Sequence, residues 1–174
     1  MAIKEGWRGY FYEDFQVGDI CIHANGRTLL EADNTWFTLL TCNTHQVHYN
    51  AQYAQSTEFG KCLMNSAFTL AVVAGMSVPD ISENAVANLG WVNIDLPNPV
   101  FAGDTLYAES KIQSKRESKS RPNAGIIEVR TRGYNQNGVT VMEYVRTVLI
   151  YKREHSPKNN LLQWRRDLAA NKPL

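Results

Sequence analysis

The chain is poor in cysteine, nearly balanced in charge and free of long apolar runs, and each lack removes a class of protein. Three cysteines in 174 residues, Cys21, Cys42 and Cys62, are too sparse and unpaired in spacing for a disulfide framework, so reduced thiols in a cytoplasmic compartment fit best. Eighteen Lys plus Arg against seventeen Asp plus Glu give no support to a general nucleic-acid binder, although a local basic patch for phosphates is still allowed. The longest apolar stretch, 67–76, contains Thr69 and is far short of a membrane span. Residues 1–10 have no apolar centre that would make a signal peptide. Internal repeats and low-complexity linkers are also missing. These absences point to one soluble domain with neither membrane nor nucleic acid as partner, and 44% apolar residues are enough to build its core.

What is present falls into two halves. The first is helical and irregular. A short strand is predicted over 19–23. Thr28-Leu29-Leu30-Glu31 has the form of a capping box, with a helix following over 29–40. The polar stretch 41–50 reads as a loop, and a short helix is predicted over 51–55. Residues 66–78 are apolar on nearly every side of a helix, which predicts burial all round. Asn65 is placed to cap that helix and Pro79 to stop it.

The second half has strand character. Candidates run over 91–96, 105–112 and 126–134, the last with Ile127, Val129 and Thr131 on one face and Glu128, Arg130 and Arg132 on the other. Asn137-Gly138 reads as a hairpin turn before a returning strand, 139–151, that is apolar on both faces. An antiparallel meander curled around the apolar helix buries it, giving an α+β fold of the hot-dog type over residues 1–152. The tail, 153–174, suits a short amphipathic helix through Leu161, Leu162, Trp164 and Leu168, packed either on its own subunit or on a partner.

Three segments together resemble the MaoC-like acyl-CoA hydratases and dehydratases, the (R)-specific enoyl-CoA hydratase type. Leu40-Thr41-Cys42-Asn43-Thr44-His45-Gln46-Val47-His48 stands where the family commonly has Gly-Asp-x-Asn-Pro-x-His. Phe59-Gly60 through Asn65-Ser66 stands where it has a Phe-Gly and then Ala-His-Gly. Pro99-Val100-Phe101-Ala102-Gly103-Asp104-Thr105 matches its Pro-Val-x-x-Gly-Asp-Thr entry into a strand. Runs over 34–40 and 85–91 look closest to the mesaconyl-CoA and β-methylmalyl-CoA hydratase branch. The departures are Asn43 for the catalytic Asp, His45 for Asn, Gln46 for Pro, and Asn65-Ser66 for His-Gly.

The resemblance implies an acyl-CoA substrate, no cofactor beyond it, and a homodimer or higher homo-oligomer. Hydration of an enoyl thioester needs a held water, a base, and a donor facing the thioester oxygen. His48 is the natural base and acid. Asn43 could orient the water through its amide, or could simply form a turn. The Ser66 backbone N–H, in the first turn of the apolar helix, is the candidate oxyanion donor. Asn65 is a candidate substrate contact, or only the helix cap. Arg116, Ser118 and Arg121, in the run 115–121, could hold CoA phosphates or a second carboxylate, or could be a solvated loop. His45 and His48 are spaced like a metal pair but lack a second ligand set, so no metal is expected. Two other functions stay open. One is a hot-dog thioesterase, with Glu58 its nearest carboxylate. The other is a non-catalytic acyl-CoA-binding subunit.

Overall fold

Alternation of apolar and polar residues along the late strands builds the sheet, and the computed structural model describes residues 6–171. The outer parts of the expectations for the two ends, over 1–5 and 172–174, lie outside the described residues. Strands β1 (Ile20–Ile22) and β2 (Arg27–Thr28) both pair with β4 (Thr105–Glu117); β5 (Ala124–Asn135), β6 (Thr140–Tyr151) and β3 (Ala85–Asp95) complete the order β1-β4-β5-β6-β3. All pairings are antiparallel. In β5, Ile127, Val129 and Thr131 face inward and Glu128, Arg130 and Arg132 face outward, as the alternation predicts. The β5–β6 turn forms at Asn137-Gly138, where Gly138 takes a positive φ of 75° and Asn135 Oδ1 accepts from the N–H groups of Asn137 and Val139.

The inner face of this sheet carries α3 (Ser66–Met76). Phe68, Val72, Val73 and Met76 are buried in one cluster with Leu106, Ala108, Met142 and Tyr144. Each such side chain stabilises by about 1.5–3 kcal/mol, against about 1 kcal/mol for an N-cap, so burial decides where α3 sits. Helix and sheet approach closely at Gly133, where a Cβ would lie 2.6 Å from Val73 Cγ2. A second cluster of Tyr12, Phe15, Ile81, Ile112, Ile127, Val129, Val148 and Ile150 fills the other end of the sheet. Between the two, against β4 and β5, lies a polar group centred on the buried His23.

Five expectations change. The first helix, α1 (Glu31–Leu40), begins two residues later than the capping-box reading. Thr28 belongs to β2, where its hydroxyl bonds Thr105 Oγ1 at 2.7 Å, and Asp33 takes over the cap by accepting from Leu30 N–H at 3.0 Å. Helix α3 ends at Met76, and Pro79 lies in the π-helical turn Val78–Ser82 that follows. Nor is α3 covered all round: Ser66, Ala67, Ala71 and Gly75 are exposed, because one sheet curls around only one side of a helix. The tail does form a helix, α4 (Lys158–Asn171), but Leu161, Trp164 and Leu168 face solvent rather than the chain's own sheet. Strands β3, β4 and β5 are longer than the predicted 91–96, 105–112 and 126–134, since ladder bonds extend pairing into polar flanks, whereas β1 and β6 fall within the predicted 19–23 and 139–151. Among the described residues no helix is long and apolar enough to cross a membrane.

Candidate active site

The polar loop after α1 is ordered by its own hydrogen bonds. Thr41 Oγ1 donates back to Phe37 O at 2.8 Å, and Cys42 takes a positive φ of 55°, which ends the helix and turns the chain. Asn43 Oδ1 accepts from His45 N–H at 3.0 Å, the local bond that makes Asn a turn former. His45 Nδ1 accepts from Val47 N–H at 3.2 Å, starting a 3-10 turn, Gln46–His48. Val47 is buried and its carbonyl accepts from Leu63 N–H at 3.0 Å. Helix α2 (Ala51–Gln55) closes the segment, capped by Asn50.

This scaffold presents His48 half-buried. Its Nδ1 lies 2.8 Å from Leu63 O. A carbonyl only accepts, so Nδ1 carries the hydrogen and Nε2 of the neutral ring keeps its lone pair. Among the described residues no hydrogen bond engages Nε2. The ring borders a cleft of about 220 Å³ shared with Glu31, Thr35, Tyr49, Lys61, Cys62 and Met64. Burial, and then the charge of Glu31, push the Cys62 thiol above the usual range, which keeps it protonated and a poor nucleophile.

A residue that sequence reasoning did not single out ties the site together. Asn34, 2% exposed, donates from Nδ2 to His48 O at 2.7 Å and to Leu63 O at 3.0 Å. Its Oδ1 accepts from Asn65 N–H at 2.8 Å. One buried amide thus joins α1, the histidine loop and the start of α3. The available signal was weak: an Asn in the first half of α1, two residues ahead of Trp36-Phe37, where only burial shows that the amide requires partners.

The start of α3 is arranged around Asn65, which is 3% exposed. Its Oδ1 accepts from Ala67 N–H at 2.9 Å, so the residue expected as a substrate contact is placed as a buried cap. That bond skips Ser66. Among the described residues the Ser66 N–H has no protein acceptor, and it sits in the first turn, at the positive end of the helix dipole. Ser66 borders an adjoining groove of about 260 Å³. Met64 borders both openings, and His48 is bonded to the residue before it.

The other expected residues are elsewhere. Asn43 borders neither opening, and its oxygen is held in the turn. Glu58 borders neither opening. Arg116, Ser118 and Arg121 lie at the β4–β5 hairpin, where Ser118 Oγ accepts from Arg121 N–H at 3.2 Å. The site lies at the opposite end of β4, where Leu63 bridges Phe101. Eleven to twelve strand residues separate the two, about 35–40 Å, so one chain does not bring them together.

Comparison with known proteins adds lineage to this geometry. Residues 3–160 match the family model described as mesaconyl-CoA hydratase. A mesaconyl-CoA hydratase of Cereibacter sphaeroides is 37% identical over 146 residues, 84% of this chain and 42% of the relative. A crystal structure of a MaoC domain protein dehydratase from Chloroflexus aurantiacus superposes with a TM-score of 0.82 at 34% identity, over 87% of this chain and 43% of that one. A Mycobacterium tuberculosis protein described as a double hot-dog fold superposes at 0.77 with 18% identity, over 86% of this chain and 46% of that one, a likeness of fold alone. The chain therefore spans less than half the length of these three proteins.

Proposed function

Because the chain belongs to the mesaconyl-CoA hydratase family, we propose that it adds water to, or removes it from, the 2,3 double bond of a short, branched or dicarboxylic enoyl-CoA. The observation that carries this reading is the state of His48: one ring nitrogen bonded to Leu63 O, the other unclaimed beside a cleft. In the hydration direction His48 Nε2 takes a proton from water as the water oxygen bonds to the β-carbon. The electron pair of the double bond moves through the thioester, whose oxygen the Ser66 N–H receives. The proton then passes from His48 to the α-carbon on the same face, a syn addition that restores the ring. Asn43 serves as the turn that sets the loop. No cofactor enters the scheme.

The reading includes a second copy of the chain. β3 is a free edge that exposes Leu89, Val92 and Ile94, a surface suited to pairing, and the relatives are about twice as long. A homodimer would place two such domains together and offer the Arg116, Ser118 and Arg121 hairpin of one copy to CoA phosphates at the other. Three free thiols fit a reducing cytoplasm.

The test is a spectrophotometric assay with mesaconyl-CoA and an unbranched 2-enoyl-CoA. Loss of the conjugated double bond supports the proposal. Release of free CoA thiol would make the chain a thioesterase, and binding without turnover would make it an acyl-CoA-binding subunit.

A further inference from the structure

We propose that Glu31 is the second group on the catalytic water, supplying the carboxylate that position 43 lacks. The inference rests on the hydratase reading and names a further catalytic residue for it. Glu31 and His48 border the same cleft, whose volume of about 220 Å³ holds several waters at about 30 Å³ each. Asn43 is not at that cleft.

The start of α1 explains why Glu31 is available. Two acids stand in its first turn, Glu31 and Asp33. Asp33 is committed: it caps Leu30 N–H at 3.0 Å and pairs with Arg27 at 2.6 Å. Glu31 has no hydrogen bond or ion pair among the described residues. The nearby cation of the cleft, Lys61, is turned to the Phe101 ring, 4.3 Å from its centroid. One helical turn on, Asn34 holds the His48 backbone, so residues i and i+3 of one helix face serve the same opening. The charge of Glu31 is also felt by Cys62 in the cleft wall.

The chemistry needs two acceptors, because a water has two hydrogens. His48 Nε2 takes the one that is transferred. The Glu31 carboxylate accepts a hydrogen bond from the one that stays in the product hydroxyl, which aims an oxygen lone pair at the β-carbon. The transferred proton goes to His48 and not to Glu31, and no further reactant is required. The bland account is a carboxylate favouring the positive end of α1, worth about 0.3–1 kcal/mol and without effect on turnover.

Steady-state hydration of mesaconyl-CoA by wild type, Glu31→Gln and Glu31→Ala separates these accounts. Loss of kcat of about 10²-fold, with KM within about threefold and an unchanged melting temperature, is the expected result. A second reading needs no turnover: alkylation of Cys62 by iodoacetamide, located by mass spectrometry, should shift to lower pH in Glu31→Gln. Wild-type kcat in both variants overturns the proposal alone, and so does an unshifted Cys62 profile. A wild-type chain that hydrates no enoyl-CoA overturns the hydratase reading and this proposal with it.

Discussion

His23 and His48 are both held by hydrogen bonds, yet they belong to opposite kinds of site. His23 is bonded at both nitrogens, Nδ1 to Asp80 Oδ2 and Nε2 to Ser110 Oγ, each at 2.8 Å. Seen as a constellation this is Ser-His-Asp, the arrangement of a nucleophilic hydrolase. Ser110, however, is 1% exposed and also bonded to Thr131 Oγ1 at 2.8 Å, so no substrate carbonyl can reach it. The group joins the residue after β1, strands β4 and β5 and the turn after α3, and its satisfied bonds make it a structural strut. His48 uses one nitrogen for position and keeps the other beside a cleft. What sets the two histidines apart is the bond left unmade beside a cleft, not the residue types that gather.

The comparison can be broken by exchanging the roles. His48→Ala should lower hydration by about 10³-fold or more while the melting temperature stays close to wild type; full activity would remove the mechanism. Asn34→Leu should come next. It leaves the His48 carbonyl and the Asn65 N–H without their partner and the Leu63 carbonyl with His48 Nδ1 alone, so we expect kcat down about 10–100-fold and stability down by about 2–4 kcal/mol in denaturant titration. His23→Ala should do the reverse of His48→Ala. It removes the Asp80 partner and leaves Ser110 with Thr131 alone, at a cost of about 2 kcal/mol, or about 4–8 °C by calorimetry, with kcat unchanged; a collapse of kcat without loss of stability would make the triad functional after all.

Two smaller effects sharpen the picture. The Cys62 thiol is pushed up by burial and then by Glu31, so at a given pH less of it is thiolate and alkylation should be slower than for an ordinary thiol. A pH series of iodoacetamide labelling measures this directly. Asn43→Asp should keep or slightly raise activity, since the residue sits in the turn outside the cleft; a large loss would return Asn43 to the water.

Much of the fold was legible because it depends on local periodicity. The alternation of β5, the Asn137-Gly138 turn, the Asn65 cap and the span of α2 all appear where pattern and turn chemistry put them. The first capping box was misplaced because Asp33, two residues past the Glu31 of the expected box, accepts from Leu30 N–H and sets the helix start there. The tail forms its helix, α4, as the apolar spacing predicts, but Leu161, Trp164 and Leu168 are exposed, so of the two packing alternatives the one on its own subunit is not realised for these three side chains. Of the site, His48 and Ser66 were legible through the family resemblance, whereas Asn34 and Glu31 were not.

By itself the sequence determined the meander, the apolar helix, the family and the histidine loop, since these rest on spacing along the chain. The tertiary structure alone decided which nitrogen of His48 is occupied, that the Ser66 N–H is skipped by its cap, and that Glu31 rather than Asn43 shares the cleft. Those outcomes depend on distances between residues far apart in sequence, and a hydrogen bond at 2.8 Å or its absence is set by packing, not by order.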